Sequence, residues 1–157
     1  MQKITTFLWY DGKAKEAAEF YCSLFKNAKV INASPLIVNF EIEGQRFMAL
    51  NGEPQLKFTE AASLFVDCES QEEVDRLWKS LTADGGEESM CGWLKDKYGL
   101  SWQIIPRRLM ELMGDKDQAK AQRVSASKSP SCSASTSSSV ALIRARASRT
   151  LSGLPLA

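Results

Sequence analysis

The sequence predicts an α+β fold built from two βαβββ modules. Three observations predict it. Strand and helix patterns run in the same order twice along residues 1–113. Each helical pattern carries a single apolar stripe. The halves also overlay at a nearly constant shift. A shift of 57 places Thr6 on Ser63, Glu16 on Glu73, Phe20 on Leu77, Tyr21 on Trp78 and Leu24 on Leu81, and a shift of 55 places Gly44 on Gly99, Phe47 on Trp102 and Leu50 on Ile105. Two such units can set their sheets side by side and curve into a half-open, cupped mixed β-sheet, whose concave face suits a ligand.

The elements follow in order. Ile4 to Tyr10 is apolar and β-rich, and reads as a strand. A helix is expected over roughly 13–26, with Ala17, Phe20, Tyr21, Leu24 and Phe25 on one face. Val38, Phe40 and Ile42 alternate with Asn39, Glu41 and Glu43, the period of a half-buried strand. Glu43-Gly44 turns the chain, and Arg46 to Leu50 returns. The first module spans about 1–53 and the second about 58–106. In the second, Ala62 to Asp67 is a strand, and Ser70 with Glu73 forms a capping box. Val74, Leu77, Trp78 and Leu81 are the buried stripe, and Gly85-Gly86 ends the element. A stretch containing Met90 to Trp93 follows. A turn at Tyr98-Gly99 then leads into a last strand, Leu100 to Ile105, stopped by Pro106.

Beyond this domain, residues 114–124 read as a short helix. Residues 125–157 hold eleven serines and no acid, and read as a disordered tail. The tail carries Lys128, Arg144, Arg146 and Arg149, so the net charge of +1 leaves −3 on residues 1–124. The tail suits a flexible basic arm or a passive extension. A weakly acidic body argues against a nucleic-acid surface. No stretch has the ~18 consecutive apolar residues of a membrane span. Cys22, Cys68, Cys91 and Cys132 form no CxxC pair or framework, so free thiols in the cytoplasm are expected. Histidine is absent, which excludes Ser-His-Asp and Cys-His catalysis and every imidazole metal site.

Several segments carry a family resemblance. They are Phe7-Leu-Trp-Tyr-Asp-Gly-Lys-Ala14, Ala17-Ala-Glu-Phe-Tyr21, Gly44-Gln-Arg-Phe47, Ala49-Leu-Asn-Gly52, Lys57-Phe-Thr59, Gln71-Glu-Glu-Val-Asp75 and the long run Cys91-Gly-Trp-Leu-Lys-Asp-Lys-Tyr-Gly-Leu-Ser-Trp-Gln-Ile104. Over about residues 3–124 the chain resembles the vicinal oxygen chelate (glyoxalase/bleomycin resistance) superfamily, in its PhnB-like branch, the 3-demethylubiquinone-9 3-methyltransferase domain type. The resemblance implies the cupped two-module fold and a homodimer. It also implies a Met- and Lys-rich helical end after Ala121-Gln-Arg-Val124, where this chain turns abruptly to Ser, Arg and Ala. A reading-frame shift near codon 125 would produce that change.

Metal-binding members of the superfamily place a ligand on the first and last strand of each module. On the internal repeat those positions fall near Thr6, Met48, Ser63 and Gln103, a set poor in metal donors. No metal is therefore expected. That counts against glyoxalase, extradiol dioxygenase and fosfomycin thiol-transfer chemistry. No Gly-rich strand-to-helix loop suggests a nucleoside cofactor, so none is expected.

The candidate ligand-binding residues are Trp9, Met48, Ser63, Cys91, Trp93 and Gln103. Gln103 is an amide among apolar neighbours, fit to orient a ligand carbonyl or hydroxyl or to be satisfied locally. Trp9, Trp93 and Trp102 suit either an aromatic wall or the core. Cys68 precedes the second helix and Cys91 lies near Lys95 and Lys97. Either is a reactive thiol or a structural cysteine. Asp96 to Gly99 has tight-turn composition. Tyr98, Lys57 and Asn51 stand at loops.

The expected function is metal-independent binding of a small organic molecule, without nucleic acid or membrane. Two readings compete: a carrier for an aromatic metabolite, and a metal-free enzyme acting on a quinone-like ring through Gln103, Tyr98 or a cysteine, the methyltransferase type included. A third is a structural dimer whose cavity its own side chains fill.

Overall fold

The computed structural model describes residues 3–53 and 55–113. The chain divides into two units between Thr59 and Glu60. The first runs β1 (Thr6–Tyr10), α1 (Ala14–Leu24), β2 (Ala28–Ala33), β3 (Ile37–Ile42) and β4 (Gln45–Asn51). The second runs β5 (Ser63–Cys68), α2 (Gln71–Leu81), β6 (Glu87–Glu88), β7 (Trp93–Lys95) and β8 (Ser101–Pro106), followed by α3 (Arg107–Met113). The strand orders are β1-β4-β3-β2 and β5-β8-β7-β6. In both, the first strand lies parallel to the last and the other pairs are antiparallel. These are the two βαβββ modules the sequence predicts.

The first core lies between α1 and one face of its sheet. Leu8, Tyr10, Val38, Phe40, Ile42, Phe47 and Ala49 are buried there against Ala14, Ala17, Ala18, Tyr21 and Leu24. Phe40 stacks on Phe47 at 5.1 Å, and the Tyr10 hydroxyl donates to that of Tyr21 at 3.3 Å. The apolar stripe of α1 differs from expectation. Phe20 and Phe25 are only partly buried, and Ala14 and Ala18 replace them. Small side chains let the helix approach the sheet closely, while the two larger rings sit at its margin. Lys13 offers no side-chain cap; instead Asn51 Oδ1, from the end of β4, accepts from Ala14 N at 2.7 Å. The same Asn51 donates through Nδ2 to Pro35 O at 2.8 Å. It therefore ties three segments together, a structural use for a residue expected at a loop.

The hairpin at Glu43-Gly44 is a two-residue turn in which both residues have positive φ, 46° and 81°. A glutamate accepts that backbone because its carboxylate is anchored. It takes hydrogen bonds from Asn27 N at 3.2 Å and Asn27 Nδ2 at 2.9 Å.

In the second unit the α2 stripe is buried as predicted: Val74, Leu77, Trp78 and Leu81. Ser70 Oγ accepts from Glu73 N at 3.2 Å, while Glu73 Oε2 accepts from Glu69 N at 2.9 Å, one residue before the expected partner. The helix ends at Leu81, ahead of Gly85-Gly86, where Thr82 Oγ1 donates to Trp78 O at 2.8 Å. Strands β2 and β6, which the sequence pattern does not delimit, complete the sheets.

The hairpin joining β7 to β8 is built around Asp96, only 2% exposed. Its Oδ1 accepts from Tyr98 N at 2.9 Å and Leu100 N at 3.1 Å, and its Oδ2 from Trp102 Nε1 at 2.8 Å. A buried carboxylate is tolerable only when N–H donors replace its water. The turn composition of this segment thus conceals an anchor. After β8, α3 begins directly at Arg107, whose guanidinium pairs with Asp67 at 2.9 Å and Glu69 at 3.0 Å. The helix expected at 114–124 and the tail at 125–157 lie outside the described residues. Among the described residues, no helix is long and apolar enough to cross a membrane.

Candidate functional site

Strand register decides which residues share the sheet face turned away from each helix. In the first unit Phe7 is level with Met48, Met48 with Asn39, and Trp9 with Leu50. In the second, Phe65 is level with Gln103, and Gln103 with Trp93. Trp102 and Ile104 point the other way and are buried beside Leu94. Trp102 is therefore a core residue.

This register corrects the first-strand estimate. Thr6 is level with the buried Phe47, so it belongs to the helix side. Its place on the open face is taken by Phe7, whose counterpart is Phe65, a shift of 58. The helices keep the shift of 57 because three residues join β1 to α1 and two join β5 to α2.

Ser63, Trp93 and Gln103 come together on the face of the second unit. Gln103 Nε2 donates to Ser63 Oγ at 2.9 Å, and among the described residues nothing bonds the amide oxygen of Gln103. Phe65 stands on one side of Gln103, half exposed at 49%, and Trp93 on the other, partly buried. An amide between two aromatic side chains can orient a flat ligand by one carbonyl or hydroxyl while the rings cover its faces. No local sequence signal singles out Phe65; it is found only once register shows which β5 residue is level with Gln103.

Trp9 and Met48 belong to the first unit. Trp9 Nε1 donates to Glu53 O at 3.0 Å, and its ring lies against Gly52, where a Cβ would come within 2.0 Å of the ring. This tryptophan is committed to the exit of β4. Met48 is half-buried between Phe7 and Asn39.

Cys91 stands apart. It is exposed in the turn before β7 with a φ of 58°. Gly92 follows at φ 85°, so close to β8 that a Cβ would sit 2.6 Å from Ile105 Cδ1. Cys68 is buried, and burial with the nearby Glu73 and Asp67 carboxylates pushes its thiol up to about 12. It is not a nucleophile at neutral pH. Tyr98 lies in the Asp96 turn with Lys97 over its ring at 5.2 Å, and Lys57 is exposed.

The first- and last-strand positions on the open faces hold Phe7, Met48, Phe65 and Gln103. Two rings, a thioether and an amide do not fit a divalent metal, which takes imidazole, carboxylate or thiolate. Among the described residues no three of His, Cys, Asp and Glu gather into a group that could hold one.

The profile of the 3-demethylubiquinone-9 3-methyltransferase family matches residues 2–105. The chain is similar to the PhnB protein from Bacillus cereus, with 37% identity over 67% of this chain and 99% of that one and a TM-score of 0.62. It also shares its fold with protein PA1353 from Pseudomonas aeruginosa, at 19% identity over 68% of this chain and 98% of that one and a TM-score of 0.55. No curated protein matches it. Fold, matched span and identity agree: the chain belongs to the 3-demethylubiquinone-9 3-methyltransferase family, with the PhnB protein among its relatives.

Proposed function

We propose that this protein binds a small organic molecule without a metal ion, on the Gln103 face of its second module. The observation that carries the reading is the Gln103–Ser63 hydrogen bond set between Phe65 and Trp93, with the amide oxygen of Gln103 left to a ligand. An oriented amide supplies direction, and the two rings supply apolar contact. The family name refers to methyl transfer. The loops Asp11-Gly12-Lys13 and Glu69-Ser70, which enter α1 and α2, are not of the Gly-rich type that cradles a nucleoside cofactor. The reading therefore rests on binding.

The proposal extends to a homodimer in the cytoplasm. The edge strands of each sheet leave backbone groups for a second copy to pair or cover, and the three described cysteines are free thiols, as suits a reducing compartment.

A thermal-shift panel of small aromatic metabolites tests the binding. The expected result is stabilisation by a subset of neutral aromatics that disappears in Gln103→Ala, while the unliganded melting temperature falls only by the worth of the lost Gln103–Ser63 bond. Stabilisation that survives Gln103→Ala would place binding elsewhere.

A further inference from the structure

We propose that Ser101 is a further polar contact of this face, and that the face selects an uncharged aromatic ligand bearing a carbonyl or hydroxyl group. The inference rests on the binding reading above. Ser101 is 1% exposed, and its Oγ is buried without a hydrogen-bond partner among the described residues. Strand alternation sends it to the same face as Gln103, and register sets it level with Ser63 on β5 and Lys95 on β7. A buried hydroxyl is ordinarily bonded, so one left open on a ligand-facing strand calls for a partner from outside the chain.

The polar groups offered are uncharged. Ser63 Oγ already accepts from Gln103 and keeps its own O–H to donate. Ser101 can donate or accept, and Gln103 Oε1 accepts. Phe65 and Trp93 flank the amide.

The charges at the two ends of the face decide the sign. Lys95 pairs with both Glu60 at 3.1 Å and Glu87 at 3.8 Å. At the other end Asp67 and Glu69 share Arg107. Each end therefore holds two acids for one base. An anionic ligand meets net repulsion and finds both cations engaged. The same excess of acid draws a cation toward the two ends, but the row of Ser63, Ser101 and Gln103 between them contains no acid to pair it once it leaves water.

The test uses three probes of one shape, benzamide, benzoate and benzamidine, titrated into the full chain by calorimetry and protein NMR. Benzamide should bind at least about tenfold tighter than either charged probe, because a site of uncharged hydrogen-bonding groups rejects an unpaired charge. Ser101→Ala should weaken benzamide by about fivefold, the size of one lost hydrogen bond. It should leave the melting temperature of the unliganded protein undiminished, since no internal bond is lost. Benzoate or benzamidine binding as tightly as benzamide overturns the selection. Unchanged benzamide affinity in Ser101→Ala, or a marked fall in its melting temperature, overturns the role of Ser101. If none of the three perturbs the protein at millimolar concentration, the binding reading itself fails, and this inference with it.

Discussion

Replacing Asp96 by Asn removes one charge and leaves the shape of the side chain. Its cost follows from the donors around it. Oδ1 takes two backbone N–H groups, from Tyr98 and Leu100, and Oδ2 takes the Trp102 indole. If the Asn oxygen stays on the backbone pair, its NH2 group faces the indole N–H, donor against donor. If the amide flips, the clash moves to Tyr98 and Leu100. Either way a charge-assisted bond of about 1.5–3 kcal/mol is lost, and buried donors go unpaired. We expect Asp96→Asn to lose about 3 kcal/mol, a large share of the 5–15 kcal/mol that typically holds a domain together. Urea unfolding followed by circular dichroism should show the midpoint falling by about 1.5 M at an m-value near 2 kcal/mol/M. In a Trp102→Phe background, which removes the indole donor, the same substitution should cost about 1–2 kcal/mol less. A loss under about 0.5 kcal/mol, or equal costs in both backgrounds, would refute the claim that the carboxylate and the indole hold this hairpin together.

Four further outcomes are expected. Gly52→Ala drives its Cβ into the Trp9 ring and breaks the Trp9–Glu53 bond, costing about 1–3 kcal/mol in thermal melts and shifting tryptophan emission. Thiol labelling read by peptide mapping at pH 8 should modify Cys91 readily and leave Cys68 protected until unfolding. Because the folded Cys68 thiol is raised from 9.0 to about 12, the native state holds that proton more tightly, so its contribution to stability is full below pH 9 and is lost as pH rises toward 12. Cys68→Ser should flatten that alkaline loss. Sedimentation equilibrium should return twice the chain mass; a single-chain mass at micromolar concentration removes the homodimer.

Local signals made much of the fold legible. Ser70 and Glu73 marked the start of α2, and the spacing of Val74, Leu77, Trp78 and Leu81 gave its buried side. The alternation of Val38, Phe40 and Ile42 gave the inner face of β3. What escaped depends on partners distant in sequence. Asn51 caps α1 from 37 residues away. Glu43 can turn the chain because Asn27 holds its carboxylate. Asp96 looks like an ordinary turn residue until β8 brings Trp102 over it. The site shows the same division. Gln103 and Ser63 could be named from the repeat, and both lie on one face. The one-residue difference between the strand shift and the helix shift hid Phe7, because a slip of one residue in a strand exchanges its two faces, and Phe65 is its counterpart only at the strand shift.

As proposed, binding on the Gln103 face needs no metal. Melting curves of chelator-treated protein, recorded with and without Mn²⁺, Ni²⁺ or Zn²⁺ and with and without a bound aromatic, test it directly. Metal alone should leave the melting temperature unchanged, and the ligand should stabilise equally in the presence of chelator. A saturable rise with metal alone, abolished by Gln103→Ala, would contradict it.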